Sequence, residues 1–490
     1  MDRVRDAEQQ VGSLGKLAGR GLGWGLLGNL VTKAGSFVLS LILARTLLPA
    51  DFGVYAVALA ATAFVMSVKD LGIMAATMQW RGRLEEMAPT ATVLSFVSAT
   101  ALYGVFWVTA PAFAELSGTP QATPVIRLLT AIILVEGFTA VRSAALIRRF
   151  EQDRLTLAIG AGFLVNAVLA VVLAVNGAGP YSFAVGQLAQ SVVTGVIVFV
   201  AARLPVRLGL DRGVAARLLR FGVPSAAGIG LETILLNAGY IVVGAILKDE
   251  TWIGYYLLAF NMSSWVPGLI GQAVRNVTIP GFSRLAEHTP EALSEGVRRA
   301  TPLLLGAILP IAVVMSILAH PLVLFVYGEP WNQAAGVLRW LAVMMVIRML
   351  LGLALDILTG QGDTRATAWM NLAYGIVLVP ALIVGTHLQG IRGTAIGQVV
   401  AALFVALPVA AYFLHRAGVR LAPVLPGLVR PLLAAGVAAA VTAFVDRLVA
   451  EHPLLELLLA GSAGLIVYVA LAVPPARLRR LGHLRRKEVG

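Results

Sequence analysis

The chain has 490 residues, of which 58% are hydrophobic and only 13% are charged, and its mean hydropathy is +0.85. This composition excludes a water-soluble globular protein and indicates an integral membrane protein. The sequence contains no cysteine and its six histidines are scattered singly, so we expect neither disulfides nor a metal site.

Apolar stretches of about 20 residues recur along the whole chain, each long enough to cross about 30 Å of hydrocarbon as a helix. They leave no room for a separate soluble domain, and no removable signal peptide is evident at the N-terminus. The sequence predicts an all-α membrane protein with 14 spans, numbered in chain order, at 22–44, 53–78, 90–113, 122–147, 155–175, 181–202, 222–246, 252–281, 300–326, 333–358, 366–386, 393–414, 424–445 and 454–475.

The basic residues outside the spans are distributed unevenly between the two sides of the membrane. The side that holds both termini carries 26 arginines and lysines, and the opposite side carries 4. By the positive-inside rule, both termini are predicted to be cytoplasmic. This bias also explains most of the net charge of +13, so the charge does not indicate a nucleic-acid partner.

Two pairs of short segments indicate an internal repeat. Residues 179–187 and 390–398 share two glycines, an alanine and a glutamine at a constant offset of 211, and residues 52–57 and 253–258 match at an offset of 201. Six spans return the chain to its starting side, so two such copies would be parallel. We therefore predict two six-helix lobes related by a pseudo-two-fold axis along the membrane normal, with a substrate cavity between them.

The two predicted lobes, with the segments before, between and after them, divide the chain into six parts. The lobes are followed by two further helices, and a short amphipathic segment with Asp211 as its expected N-cap joins the lobes on the cytoplasmic side. The parts are a cytoplasmic N-terminal segment at 1–21, an N-lobe with helices 1–6 at 22–203, the amphipathic linker at 204–221, a C-lobe with helices 7–12 at 222–415, helices 13–14 at 416–475 and a basic cytoplasmic tail at 476–490.

Lys33 lies near the middle of span 1, 13 residues after Arg20 and 12 before Arg45. At about 1.5 Å per residue it is about 18 Å from either interface, which is beyond the reach of a lysine side chain. Burying its charge against lipid would cost at least ~2.5 kcal/mol. Polar stripes in membrane helices either line a hydrated cavity or pack against other helices, and the charge favours the cavity.

The same argument applies to other cations inside the spans. Positive charge should prevail in the cavity, and arginine's planar fork suits phosphate, so we expect an anionic ligand. The candidate substrate-binding residues are Lys33, Lys69, Arg142, Arg275 and Arg348, with Asn29 and Gln272 beside them.

Three carboxylates in or beside the spans are candidates for binding a coupling H⁺ or Na⁺: Glu232, Glu136 and Asp70. A structural ion pair with a nearby arginine is an equally good explanation for Glu232 and Glu136, and Asp70 has the alternative of neutralising the adjacent Lys69. No other cofactor is expected.

Four sequence elements resemble a known family: ARTLLPADFGVYA at 44–56, DLG at 70–72, VYGEPW at 326–331 and GTAIGQ at 393–398. They are similar to the Wzx-type flippases of bacterial polysaccharide biosynthesis, which belong with multidrug extruders and peptidoglycan-precursor flippases to the multidrug/oligosaccharidyl-lipid/polysaccharide (MOP) exporter superfamily. The resemblance covers residues 20 to 415. It implies alternating access and a substrate made of undecaprenyl pyrophosphate carrying an oligosaccharide. Related flippases keep cations in helices 1, 2 and 8, where Lys33, Lys69 and Arg275 lie.

The predicted function is therefore a flippase that moves the lipid-linked oligosaccharide from the cytoplasmic to the outer leaflet. Expected partners are membrane lipids and the polysaccharide polymerase or glycosyltransferases of the same route, and the protein is expected to be a monomer. The alternative is a multidrug or toxic-compound extrusion antiporter, which would need an acidic, aromatic chamber. A membrane enzyme is disfavoured because the outer loops are mostly too short to hold catalytic groups.

Overall fold

A computed structural model describes residues 23–25, 28–69, 84–204, 209–265, 267–268, 290–361, 363–449 and 452–472. Every regular element in these residues is helical, as the composition predicts. The chain divides into two compact units, residues 1–254 and 255–490.

The first unit has helical residues at 23–25 and a helix at 28–46, and it contains most of the residues that the cation argument selects. Helix Arg212–Leu247 starts inside the predicted linker, and the Asp211 side chain accepts a hydrogen bond from the Val214 amide at 2.9 Å, which confirms the expected N-cap. The other helices of this unit are Pro49–Lys69, Leu84–Leu116, Thr123–Thr130, Ile132–Arg148, Gln152–Val175 and Tyr181–Ala201.

A helix at 250–265 crosses the boundary between the units, and the rest of the second unit is helical as well. Helix Thr364–Ala401 contains a sharp turn at Gln389 and Gly390, where the backbone leaves helical geometry, so it consists of two helical segments. The remaining helices are Pro290–Ile317, Ala319–Tyr327, Ala334–Gly360, Leu407–Arg416, Leu425–Leu448 and Pro453–Ala472, with a π-helical turn at Ala402–Ala406.

In the described residues, 12 helices are long and apolar enough to cross a membrane, which supports a multi-pass membrane protein. One of them, Arg365–Arg416, is 52 residues long and includes both predicted spans 11 and 12. Predicted span 8 is described only in part, by the helix at 250–265. The count of 14 spans and the two-lobe arrangement remain predictions.

Residues matched by the internal repeat have matching local structures. Gly179 and Gly390 both adopt left-handed backbone conformations, with φ of 54° and 58°, which glycine reaches without steric cost. Seven residues later in each copy, Gly186 packs against Ala170 and Gly397 packs against Ala381. Both pairs are offset by 211, so the repeat found in the sequence is a repeat of helix packing.

The two glutamines matched by the repeat also have equivalent partners. In the first unit the Gln187 amide donates a hydrogen bond to the Tyr55 hydroxyl. In the second unit the Tyr256 hydroxyl donates to the Gln398 side-chain oxygen at 3.3 Å. The tyrosines differ by 201 and the glutamines by 211, the same two offsets that the sequence comparison gave.

Candidate functional site

Lys69 lies at the end of helix Pro49–Lys69 and is 4% exposed, although it carries a charge. Its Nζ forms an ion pair with the carboxylate of Glu136 on helix Ile132–Arg148. Its backbone carbonyl accepts a hydrogen bond from the Ser98 hydroxyl of helix Leu84–Leu116 at 2.9 Å. Side chains from two neighbouring helices therefore hold this residue.

Gly137 explains how the Glu136 carboxylate comes so near. A Cβ atom at Gly137 would collide with the Ala99 side chain and press on the Ser95 carbonyl oxygen. Without a Cβ atom the two helices approach closely, and Glu136 is positioned beside the end of helix Pro49–Lys69. For Glu136 the sequence left open an ion pair with a nearby arginine; the structure shows an ion pair whose partner is Lys69.

Arg142 is 3% exposed and packs against aromatic rings. Its guanidinium carbon lies 4.1 Å from the Phe199 ring centroid and 5.5 Å from that of Phe138. The two rings stack on each other at 5.5 Å with an angle of 13°. Among the described residues, no side chain forms an ion pair with Arg142, and its Nε has no hydrogen-bond partner. Cation–π attraction therefore partly replaces water around a buried positive charge.

Arg348 lies near the middle of helix Ala334–Gly360 in the second unit. Its Nη1 donates a hydrogen bond to the Ser264 hydroxyl at 3.1 Å, and its guanidinium lies 4.9 Å from the Phe260 ring centroid. Both partners belong to the helix at 250–265, the helix that also carries Tyr256. These contacts fix the plane of the guanidinium group.

Lys33 is half-buried on the helix at 28–46, and no ion pair joins it to any described residue. Gly28 and Gly35 pack closely against Thr156 and Phe163 of helix Gln152–Val175. At 100° per residue, Lys33 is about 140–160° around the helix from these glycines. Its side chain therefore leaves the helix on the side away from that contact.

The other predicted site residues are distributed as follows. Asn29 is half-buried one turn before Lys33, and Glu232 is exposed on helix Arg212–Leu247. Asp70, Gln272 and Arg275 lie outside the described residues. Lys33, Lys69, Arg142, Glu136 and Glu232 belong to the first unit and Arg348 to the second.

Several contact residues were missed by the sequence argument. Phe138 is four residues before Arg142, a helical spacing that indicates contact, and this signal was available. Phe199 and Ser264 lie on other helices, and no sequence pattern connects them with their arginines. Within the described part of the chain, no cluster of histidine and acidic residues could hold a metal ion.

The profile of a family described as polysaccharide biosynthesis protein matches residues 42–336, more than half of the chain. The chain belongs to this polysaccharide biosynthesis protein family. It is also similar to the succinoglycan biosynthesis transport protein ExoT of Rhizobium meliloti (strain 1021), with 27% identity over 490 residues and 96% of each chain covered.

Two solved structures share the fold of this polysaccharide biosynthesis protein. The inward closed lipid II flippase MurJ superposes with a TM-score of 0.74 at 13% identity, covering 91% of this chain and 97% of MurJ. An inward-facing MATE family transporter of the MOP superfamily gives a TM-score of 0.61 at 18% identity, covering 80% and 98%. The resemblance found in the sequence is confirmed: the chain belongs to a polysaccharide biosynthesis protein family and shares its fold with a lipid II flippase and a MATE family transporter.

Proposed function

We propose that the protein is a flippase that moves an undecaprenyl-pyrophosphate-linked oligosaccharide from the cytoplasmic to the outer leaflet by alternating access. Its cationic residues bind the diphosphate while the lipid tail remains in the bilayer. The family match and the transport function named for ExoT support the general class. The charges of the spanning helices support an anionic headgroup, and the undecaprenyl-pyrophosphate-linked oligosaccharide is the substrate that the sequence resemblance implies. The direction of movement is our inference.

One observation carries this proposal: spanning helices hold cations that carboxylates do not neutralise. Lys33 and Arg142 have no acidic partner among the described residues. A charged side chain without a counter-charge is costly in a membrane helix, so we expect it only where it binds a ligand. An anion such as a diphosphate would lower that cost by ion pairing and charge-assisted hydrogen bonds.

Orientation and partners follow from the sequence bias and the proposed route. We place both termini in the cytoplasm and the protein in the bacterial inner membrane, because 26 basic residues lie on the terminal side against 4 opposite. The flippase would act as a monomer. It would receive its substrate from membrane glycosyltransferases and deliver it to a polymerase.

Reconstitution tests the proposal. Purified protein in vesicles should make an undecaprenyl-diphosphate-linked oligosaccharide accessible to an added sugar-cleaving enzyme on the opposite face. Protein-free vesicles and vesicles holding an unrelated membrane protein are the controls. If the protein moves a cationic dye and leaves the glycolipid in place, it is a multidrug extruder and the proposal is wrong.

Arg348→Lys should reduce export by roughly tenfold, although the charge is kept. A lysine cannot both donate to Ser264 and lie flat over the Phe260 ring, so the charge loses its fixed orientation. Polysaccharide export in cells lacking the native gene is the measurement. Arg339→Lys, an exposed arginine on the same helix, should export normally; equal export by both variants would contradict the prediction.

Glu232→Gln should abolish the stimulation of flipping by an imposed H⁺ or Na⁺ gradient, if Glu232 binds the coupling ion, because the neutral amide neither takes up a proton near neutral pH nor supplies the negative charge that attracts Na⁺. Its side chain is exposed and forms no ion pair with the described residues, as an ion-binding group requires. Flipping in vesicles is measured with each gradient and without one. Glu115→Gln, another exposed carboxylate of the first unit, is the matched control. Unchanged stimulation in Glu232→Gln removes this residue from the coupling mechanism.

A further inference from the structure

The two members of the Lys69–Glu136 ion pair are unequally exposed. The Lys69 side chain is 5% exposed, whereas the Glu136 side chain is 39% exposed. The buried member is thus the cation, and the accessible member is the carboxylate. A ligand that approaches Lys69 from the open side meets Glu136 first.

Lys69 and Glu136 are held differently. The Ser98 hydrogen bond fixes the backbone of Lys69, and its side chain is enclosed. The backbone of Glu136 is fixed through the contact of Gly137 with helix Leu84–Leu116, but the Glu136 side chain is partly exposed. Turning the Glu136 side chain away from Lys69 would therefore disturb little packing, whereas moving Lys69 would disturb much.

We propose that Glu136 is an internal competitor for the anionic substrate at Lys69, an inference that rests on the proposed flippase function. Without substrate, the Glu136 carboxylate neutralises the Lys69 ammonium. When a lipid diphosphate arrives, its phosphate oxygens replace the carboxylate, and Glu136 turns into the more exposed space beside it. When the diphosphate leaves, Glu136 binds Lys69 again, so the ion pair of the substrate-free state is restored.

This exchange accounts for both selectivity and release. A diphosphate carries more negative charge and more acceptor oxygens than one carboxylate, so it can displace Glu136. A neutral or cationic lipid cannot. Because the returning carboxylate re-forms the ion pair with Lys69, release of the substrate costs less than it would without Glu136. Glu136 is in this sense a specificity-determining residue for the transported headgroup.

Binding of farnesyl diphosphate to the purified full-length protein, measured by tryptophan fluorescence, tests the exchange. Glu136→Gln keeps the side-chain size but removes the competing charge, so it should bind the probe at least about tenfold more tightly, equal to about 1.4 kcal/mol. Lys69→Met should weaken binding, and Lys69→Met/Glu136→Gln should bind no better than Lys69→Met. Glu86→Gln, an exposed carboxylate of the same unit, controls for net charge and should bind like the unmodified protein. Farnesol, which lacks the phosphates, should show no difference among the variants.

Turnover should change in the opposite direction from affinity. Glu136→Gln should flip the glycolipid several-fold more slowly in vesicles, because it has no carboxylate at position 136 to displace the diphosphate from Lys69. If Glu136→Gln does not fold, Glu136→Asp is the second variant: its carboxylate is one methylene shorter, and binding should tighten by a smaller factor.

Two results separate the failure of the inference from that of the flippase. If the unmodified protein binds the probe and flips the glycolipid, but neither Glu136 variant binds more tightly, Glu136 is a structural partner only and the inference is overturned. The same holds if the double variant keeps the tighter binding. If the unmodified protein neither binds the diphosphate nor flips the glycolipid, the proposed function itself is wrong.

Discussion

Lys33→Ala is expected to abolish polysaccharide export while the protein still inserts into the membrane at normal levels. The side chain lies about 18 Å from either interface by its position in the helix. It is half-buried, and no described residue neutralises it. Removing it leaves the helix more apolar and so favours insertion, by ~2.5 kcal/mol or more on insertion scales. A large loss of export with unchanged or improved insertion would therefore indicate a binding role.

The measurement is surface polysaccharide in cells that lack the native gene, together with the amount of protein in the membrane fraction. Lys33→Arg keeps the charge in the same place and should retain part of the export. Arg392→Ala removes an exposed cation of the second unit and should leave export intact. Normal export by Lys33→Ala would contradict the proposed role of this residue, and with it the strongest of the charge arguments.

The all-helical, multi-pass character of the chain was predictable from the sequence because hydrocarbon leaves a spanning backbone few alternatives. In hydrocarbon each backbone group needs an internal partner, so an apolar run of about 20 residues becomes a helix. Asp211 was identifiable as an N-cap because its side chain competes for the first amides of a helix. The repeat was identifiable because glycines such as Gly179 and Gly390 occupy backbone conformations that other residues avoid.

A further repeat went unnoticed in the sequence. Gly118 and Gly328 are offset by 210, and both have positive φ, of 66° and 92°. Each precedes a short 3₁₀ turn, Pro120–Ala122 or Glu329–Trp331. A single residue, Thr119 or Glu329, separates the glycine from a matching proline, so a comparison of letters found little. The shared structural feature is a glycine with positive φ just before a 3₁₀ turn.

Contacts within the site were the least predictable part. Hydropathy places Lys69 and Glu136 in spans 2 and 4, but whether they meet depends on the rotation of each helix about its axis. That rotation is set here by Gly137 and its contact with Ala99. For Arg142, the argument from burial cost predicted water or an anion, and the structure places two phenyl rings beside it. The burial cost of a cation says that it needs a partner and does not say which one.

Gly393→Ala is expected to destabilise the second unit strongly, although alanine is the better helix former. The helical segments before and after the turn at Gly390 touch backbone to backbone: a Cβ atom at Gly393 would overlap the Gly385 carbonyl oxygen. The buried hydroxyls of Thr386 and Thr394 hydrogen-bond across the same contact at 2.7 Å. The two atoms that this Cβ atom would overlap, the carbonyl oxygen and carbon of Gly385, belong to the main chain and cannot turn aside. The helical segments must therefore separate, and the hydrogen bond between the two threonines must break.

The expected cost of Gly393→Ala is about 2–3 kcal/mol, from overpacking together with a lost buried hydrogen bond. Gly436→Ala is the matched control, because Gly436 also lies inside a helix but has no atom near its absent Cβ. That variant should be neutral or up to about 1 kcal/mol more stable, since an unfolded chain with alanine loses less conformational entropy on forming the helix than one with glycine. Thermal unfolding of both proteins in detergent gives the comparison. A lower Tm for Gly393→Ala beside an unchanged or higher Tm for Gly436→Ala is the result that close backbone packing requires. A Gly393→Ala protein as stable as the Gly436→Ala protein would show that the two segments can separate freely.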